Sequence, residues 1–138
     1  MKTVLFVCVE NSCRSQMAEA FARLHGQDLL EAYSSGSRPS GRVNERAIRF
    51  MAERGYDLSA HCSKSLDDIP SIEYDYAITM GCGDECPYVR ARCRQDWNLP
   101  DPKHLGDEDF RRVRDQIETR VRELINEIAR PPAPGSRG

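Results

Sequence analysis

The sequence predicts an α/β protein built on a parallel sheet with both faces covered. Two observations carry this. Thr3–Cys8 is an unbroken apolar run of strand length, the pattern of a strand buried on both sides. Further strand-like and helix-like segments then alternate along the chain, which is the arrangement that produces parallel sheets. In order, Ser15 to His25 reads as an amphipathic helix carrying Met17, Ala18, Phe21, Ala22 and Leu24, stopped at Gly26. Leu29–Ser34 reads as a second strand, and Ser35–Gly41 as a loop rich in turn residues. Asn44 to Arg54 forms a helix with Ala47, Ile48, Met51 and Ala52 on one side, and Gly55 ends it. Asp75–Met80 is a third buried strand. Gly81 to Pro102 reads as irregular, with one short helix and one short strand near Trp97. Asp107–Ala129 is a long helix, because Phe110, Val113, Ile117, Val121, Leu124, Ile125 and Ile128 recur by threes and fours.

Length and composition narrow the class of function. At 138 residues the chain suits one domain, assigned here to residues 1–130, followed by a disordered Pro/Gly-rich tail over residues 131–138. Twenty basic and 22 acidic residues give a net charge of −2, so nothing points to nucleic acid or an anionic membrane as partner. No apolar run approaches the roughly 20 residues that span a bilayer. The first strand begins after Met1 and Lys2, leaving no room for a signal peptide, so a cytoplasmic location and a monomer are expected. Six cysteines (8, 13, 62, 82, 86 and 93) are many for such a compartment and suggest redox chemistry, metal binding or buried thiols. Cys13 and Cys62, without partners at an obvious spacing, read as packing residues.

The chemistry concentrates where the first strand meets the first helix. Cys8, Arg14 and the start of a helix follow one another over seven residues. Free N–H groups at a helix start, with the helix dipole behind them, suit an oxyanion. The loop Glu10, Asn11, Ser12, Cys13, Arg14 and Ser15 can therefore wrap a tetrahedral anion, with Arg14 gripping two oxygens in its planar fork. Cys8 would lie beneath the central atom, where the same field stabilises the nucleophilic thiolate. Ser15 can donate a hydrogen bond to that thiolate, and Asn11 can hold the loop's shape. Glu10 is anomalous: a carboxylate beside a dianion costs affinity unless it points outward or pairs with a base such as Arg38 or Arg42.

These residues resemble the low-molecular-weight protein tyrosine phosphatase superfamily, which includes the thioredoxin-coupled arsenate reductases. The C-x5-R-S loop, Ser34-Ser-Gly36, Leu58-Ser-Ala-His61 and Asp101-Pro102 carry the resemblance, from Thr3 to about Pro102 and into the last helix. It implies a four-stranded parallel sheet flanked by helices on both faces, in a single domain. It also implies that Cys8 is the nucleophile, Arg14 the oxyanion ligand and Asp101 the general acid.

Within that superfamily, arsenate reduction fits this chain better than phosphomonoester hydrolysis, the alternative. Both begin with thiolate attack and a leaving oxygen protonated by Asp101. A reductase must also supply two electrons, which with protein thiols calls for a second cysteine to expel arsenite and a third to take over the disulfide. Cys82 sits just past the third strand, and Cys86, four residues on and followed by Pro87, resembles the third thiol of the reductases. On one helical turn that spacing brings Cα atoms to roughly 6 Å, within disulfide range. Cys93 is an alternative resolving thiol. Arg14-Ser-Gln-Met17 resembles the reductase branch, and no aromatic follows Asp101-Pro102 until Phe110, whereas phosphotyrosine needs aromatic walls. The expected substrate is arsenate, with phosphate or sulfate as analogues, and the expected partner is thioredoxin or a similar thiol reductant. No cofactor is expected. Zinc is not expected either, since Cys82, Cys86 and Cys93 with His61 or His104 lack a paired C-x2-C knuckle. A sensor that binds without turnover would have no need of Asp101. His61 reads as a structural hydrogen-bonding residue, Trp97 as core, and Arg90, Arg92 and Arg94 as a solvated edge.

Overall fold

The computed structural model describes residues 1–81 and 89–130. Cys82 and Cys86, the proposed relay thiols, and the tail 131–138 lie outside the described residues. The apolar run forms β1 (Lys2–Cys8), which is paired on both sides and so takes the interior of the sheet. β2 (Leu30–Gly36), β3 (Tyr74–Thr79) and β4 (Ala91–Asp96) complete a four-stranded sheet of order β2-β1-β3-β4, all parallel. Three helices, α1 (Arg14–His25), α2 (Glu45–Ala52) and α3 (Asp107–Ala129), share one core with a single face of the sheet. Alternation along β1 sends Val4, Phe6 and Cys8 to that face, against Met17 and Phe21 of α1 and Phe110 and Ile117 of α3. Leu5 and Val7 point the other way, with Tyr74, and a short 3₁₀ turn (Leu66–Asp68) supplies Leu66 to cover them. Helical segments thus lie on both faces. Among the described residues, no helix is long and apolar enough to cross a membrane.

One strand differs from the sequence expectation. β2 runs to Gly36 rather than stopping at Ser34, because parallel pairing with β1 continues to Cys8↔Gly36 and overrides the turn propensity of Ser35 and Gly36. β4, which ends just before Trp97, is the short strand expected near that residue. It is an edge strand with exposed Arg92 and Arg94 alternating with half-buried Ala91, Cys93 and Gln95, so it lacks an apolar signature. Trp97 itself is buried, its ring 5.8 Å from that of Phe6. Cys62 is exposed and not the packing residue its sequence context suggests, because it lies on the turn after the 3₁₀ segment Leu58–Ala60.

The helices are joined by both rings and charges. Phe50 of α2 and Phe110 of α3 pack with ring planes tilted by 56° and centroids 5.2 Å apart. Glu53, at the end of α2, bonds Arg111 and Arg114 of α3, and those two guanidinium groups pull its carboxyl down to about 2.

The register fixes where a ligand can bind. Cys8 is level with Gly36 on β2, and Val7 with Thr79 on β3, so these three strands end together. The loops leaving them converge at the carboxyl edge of the sheet, the usual location of a ligand crevice in such folds.

Candidate active site

Cys8 ends β1 and Cys13 precedes the first turn of α1, so the loop between them must reverse tightly. Asn11 makes this possible by taking a left-handed backbone, φ +51°, a conformation asparagine tolerates better than most residues. Its side chain is locked on both ends: Oδ1 accepts from the Lys64 amide at 2.7 Å and from Gln16 Nε2 at 2.8 Å. Nδ2 donates to Ser15 Oγ at 2.8 Å. Since Ser15 Oγ already accepts there, its own proton is available for Cys8 Sγ, 2.8 Å away. Asn11 therefore shapes the loop and also orients the hydroxyl that faces the sulfur.

The chain of donors extends further back. Gln16 Nε2 donates to Asn11 Oδ1 and to the Cys62 carbonyl, leaving Oε1 to accept from His61 Nδ1 at 2.9 Å. An amide oxygen cannot donate, so the His61 proton sits on Nδ1, and Nε2 accepts from the Tyr56 hydroxyl at 2.6 Å. Burial lowers the His61 pKa, in keeping with this neutral tautomer. From Tyr56 to Ser15 every donor points toward Cys8. The arrangement aims a hydrogen-bond donor at Cys8 Sγ.

β2 presses against the same loop. A Cβ on Gly36 would lie 2.5 Å from the Val9 carbonyl oxygen and 2.9 Å from the Asn11 nitrogen, so only glycine fits there. Gly36→Ala is expected to displace the cradle backbone. Oxyanion turnover should fall by about 10²-fold and stability by about 1–3 kcal/mol, read by steady-state kinetics and thermal unfolding of the same preparation.

Arg14 opens α1 and is buried to 9% exposure. Its Nη1 donates to the carbonyls of Met80, after β3, and of Leu99, at 2.8 Å for the latter. Nη2 is left facing Asp101 Oδ2 at 3.9 Å. One guanidinium thus ties the cradle, the end of β3 and the Asp101 loop together. Asp101 caps a 3₁₀ turn (Pro102–His104) by accepting from the Lys103 amide at 3.0 Å through Oδ1, which leaves Oδ2 toward the cavity. The cavity, about 320 Å³, is lined by Cys8, Glu10, Ser12, Cys13, Arg14 and Asp101, among others. It has the size for a tetrahedral oxyanion, and no aromatic side chain lines it among the described residues.

Cys13 shares this cavity but is a different kind of thiol. Burial, the main cause, pushes its pKa up to about 12, so it stays protonated while Cys8 faces a donor. Glu10 finds a base the sequence did not suggest: its carboxylate accepts from Lys103 Nζ at 2.8 and 3.0 Å. Cys93 is not gathered to the cradle. It lies opposite Tyr76, which is level with Val4, so four residues of β1, about 13 Å of strand, separate its level from that of Cys8. The structure therefore brings together Cys8, Glu10, Ser12, Cys13, Arg14 and Asp101 around one cavity, with Asn11 and Ser15 packed beneath. Sequence reasoning missed Gln16, Tyr56 and Lys103 as partners: Gln16 and Lys103 act through contacts distant in the chain, and Tyr56 reaches the loop only through His61.

A strand–cysteine–loop–arginine–helix cradle at the carboxyl edge of a four-stranded parallel sheet, with an Asp-Pro turn above it, defines a phosphatase-type fold. The chain belongs to the low molecular weight phosphotyrosine protein phosphatase family, whose pattern it matches over residues 3–133. Among curated relatives, it is 42% identical over 132 residues to the glutaredoxin arsenate reductase of a Synechocystis species, covering 94% of this chain and 100% of that protein. A solved structure of an arsenate reductase in the phosphate-binding state superposes with a TM-score of 0.85 at 41% identity, covering 94% of this chain and all of that one. The thioredoxin-dependent arsenate reductase of Corynebacterium glutamicum matches with a TM-score of 0.74 at 32% identity, over 93% of this chain and 62% of that one.

Proposed function

We propose that this protein is an arsenate reductase that uses Cys8 as nucleophile and an internal thiol relay as electron source. The observation that carries the reading is the joining of two features at one edge of the sheet. The cradle has room for a small oxyanion beside Cys8, and the cavity is also lined by Gly81, the residue directly before Cys82 in the chain. The named relatives, arsenate reductases at 32 to 42% identity, support it.

The chemistry follows from the residues. The Cys8 thiolate attacks arsenic, a sulfur–arsenic bond forms, and one As–O bond breaks. The oxygen that leaves is an As–OH, which departs as water on taking one proton from Asp101. Arg14 and the loop N–H groups carry the charge of the remaining oxygens. The Cys82 thiolate then attacks Cys8 Sγ. The sulfur–arsenic electron pair passes to arsenic, which leaves as arsenite, reduced by two electrons, while Cys8 and Cys82 are oxidised to a disulfide. Cys86 attacks Cys82, freeing Cys8 and forming a Cys82–Cys86 disulfide. A small dithiol protein of the thioredoxin or glutaredoxin kind reduces it, which fits a cytoplasmic monomer with free thiols.

Single turnover without reductant tests the relay. One arsenite per chain should form, and peptide mapping should show a Cys82–Cys86 bridge. Cys82→Ser should release no arsenite. A Cys82–Cys93 bridge would displace Cys86 from the scheme, and arsenite release by Cys82→Ser would remove Cys82.

A further inference from the structure

The partly exposed ion pair between Glu10 and Lys103 lines the cavity of the cradle, and the reaction scheme leaves it without a role. Glu10 belongs to the anion loop and Lys103 to the turn that carries Asp101, so the pair joins the two walls of the cavity. Both backbones are anchored independently. The Glu10 carbonyl accepts from the Ser40 amide and from Ser63 Oγ, each at 3.0 Å, and Lys103 is held in the turn capped by Asp101. The side chains, each about 40% exposed, meet in the cavity lining at 2.8 and 3.0 Å.

We propose that this pair is a selectivity bar that admits a free inorganic oxyanion and refuses the organic group of a phosphomonoester. In-line attack by Cys8 drives the leaving group away from the sulfur, toward Asp101 and so toward the mouth. From arsenate the leaving group is a single oxygen, which the cavity contains. From a monoester it is an alkoxide or phenoxide, whose carbon skeleton must pass between the Glu10 and Lys103 walls. A charged pair bridges those walls, and no aromatic side chain lines the cavity among the described residues, so an ester must break the bridge to bind. The paired carboxylate is also neutralised, which removes its repulsion toward the dianion. This extends the arsenate reductase reading, since it explains which substrates that same cradle takes.

The test compares kcat/KM for an aryl phosphate and for arsenate in four proteins. Glu10→Ala/Lys103→Ala should raise the ester-to-arsenate ratio at least about tenfold. Glu10→Gln, which keeps bulk but weakens the pair, should give a smaller rise. The exchanged pair Glu10→Lys/Lys103→Glu should return the ratio toward wild type, a rescue that mere loosening of the loop would not allow. An unchanged ratio in the double variant, or no return in the exchanged pair, overturns the proposal. Ester hydrolysis depends on Cys8 but not on the relay. A wild type that reduces no arsenate while the double variant still gains ester hydrolysis would therefore sink the reductase reading and leave the bar standing.

Discussion

Cys8→Ser should abolish arsenate reduction, with turnover falling at least about 10⁴-fold, while the protein still folds and still binds phosphate. The loss follows from chemistry. A serine hydroxyl at this position is a poor nucleophile, and its oxygen cannot hold arsenic or enter a disulfide. The retention follows from structure. Ser15 would bond an oxygen as it bonds the sulfur, and Asn11, Gln16 and Arg14 keep the loop closed without any contribution from Cys8. Phosphate binding by the variant, measured calorimetrically, separates loss of the nucleophile from collapse of the cradle. Retained turnover would mean that another thiol attacks. Cys13, the other sulfur lining the cavity among the described residues, is held protonated by burial and is a poor substitute.

Arg14→Lys is the second large effect, expected to lower kcat/KM by about 10²–10³-fold. Charge is conserved in this exchange, so the loss isolates geometry. The Arg14 fork bonds two carbonyls through one nitrogen and turns the other toward Asp101 and the cavity. A lysine ammonium can satisfy the Met80 and Leu99 carbonyls or an oxyanion, but not both. Because the first step is common to reduction and ester hydrolysis, both activities should fall together. A drop confined to arsenate would place Arg14 in the relay instead.

Much of this site is legible in the sequence because it is local. Strand, cysteine, loop, arginine and helix are consecutive, so periodicity and helix-terminus electrostatics locate the cradle, and α3 appears with the predicted bounds because its apolar positions recur over six turns. What the sequence conceals is carried by contacts between distant segments. The bounds of β4, though not its existence near Trp97, are hidden by its arginines, since an edge strand in contact with solvent needs no apolar run. Gly36 reads as a turn residue, and only the approach of β2 to the loop shows that its missing side chain makes room for the cradle. Glu10 looks like a defect until Lys103, 93 residues away, supplies its counter-charge. The His61–Gln16 link likewise joins a turn to a helix 45 residues earlier.

The central claim is that the oxyanion chemistry of this cradle is coupled to thiol oxidation. Arsenate-dependent NADPH oxidation tests it most directly, using the full chain with thioredoxin and thioredoxin reductase, and in parallel with glutaredoxin, glutathione and glutathione reductase. Aryl phosphate hydrolysis is measured on the same sample. Sustained NADPH oxidation with at least one of the two donors, abolished in Cys82→Ser, is the result expected here. Absence of arsenate turnover with every thiol donor, alongside efficient aryl phosphate hydrolysis, would contradict it and make the protein a phosphatase.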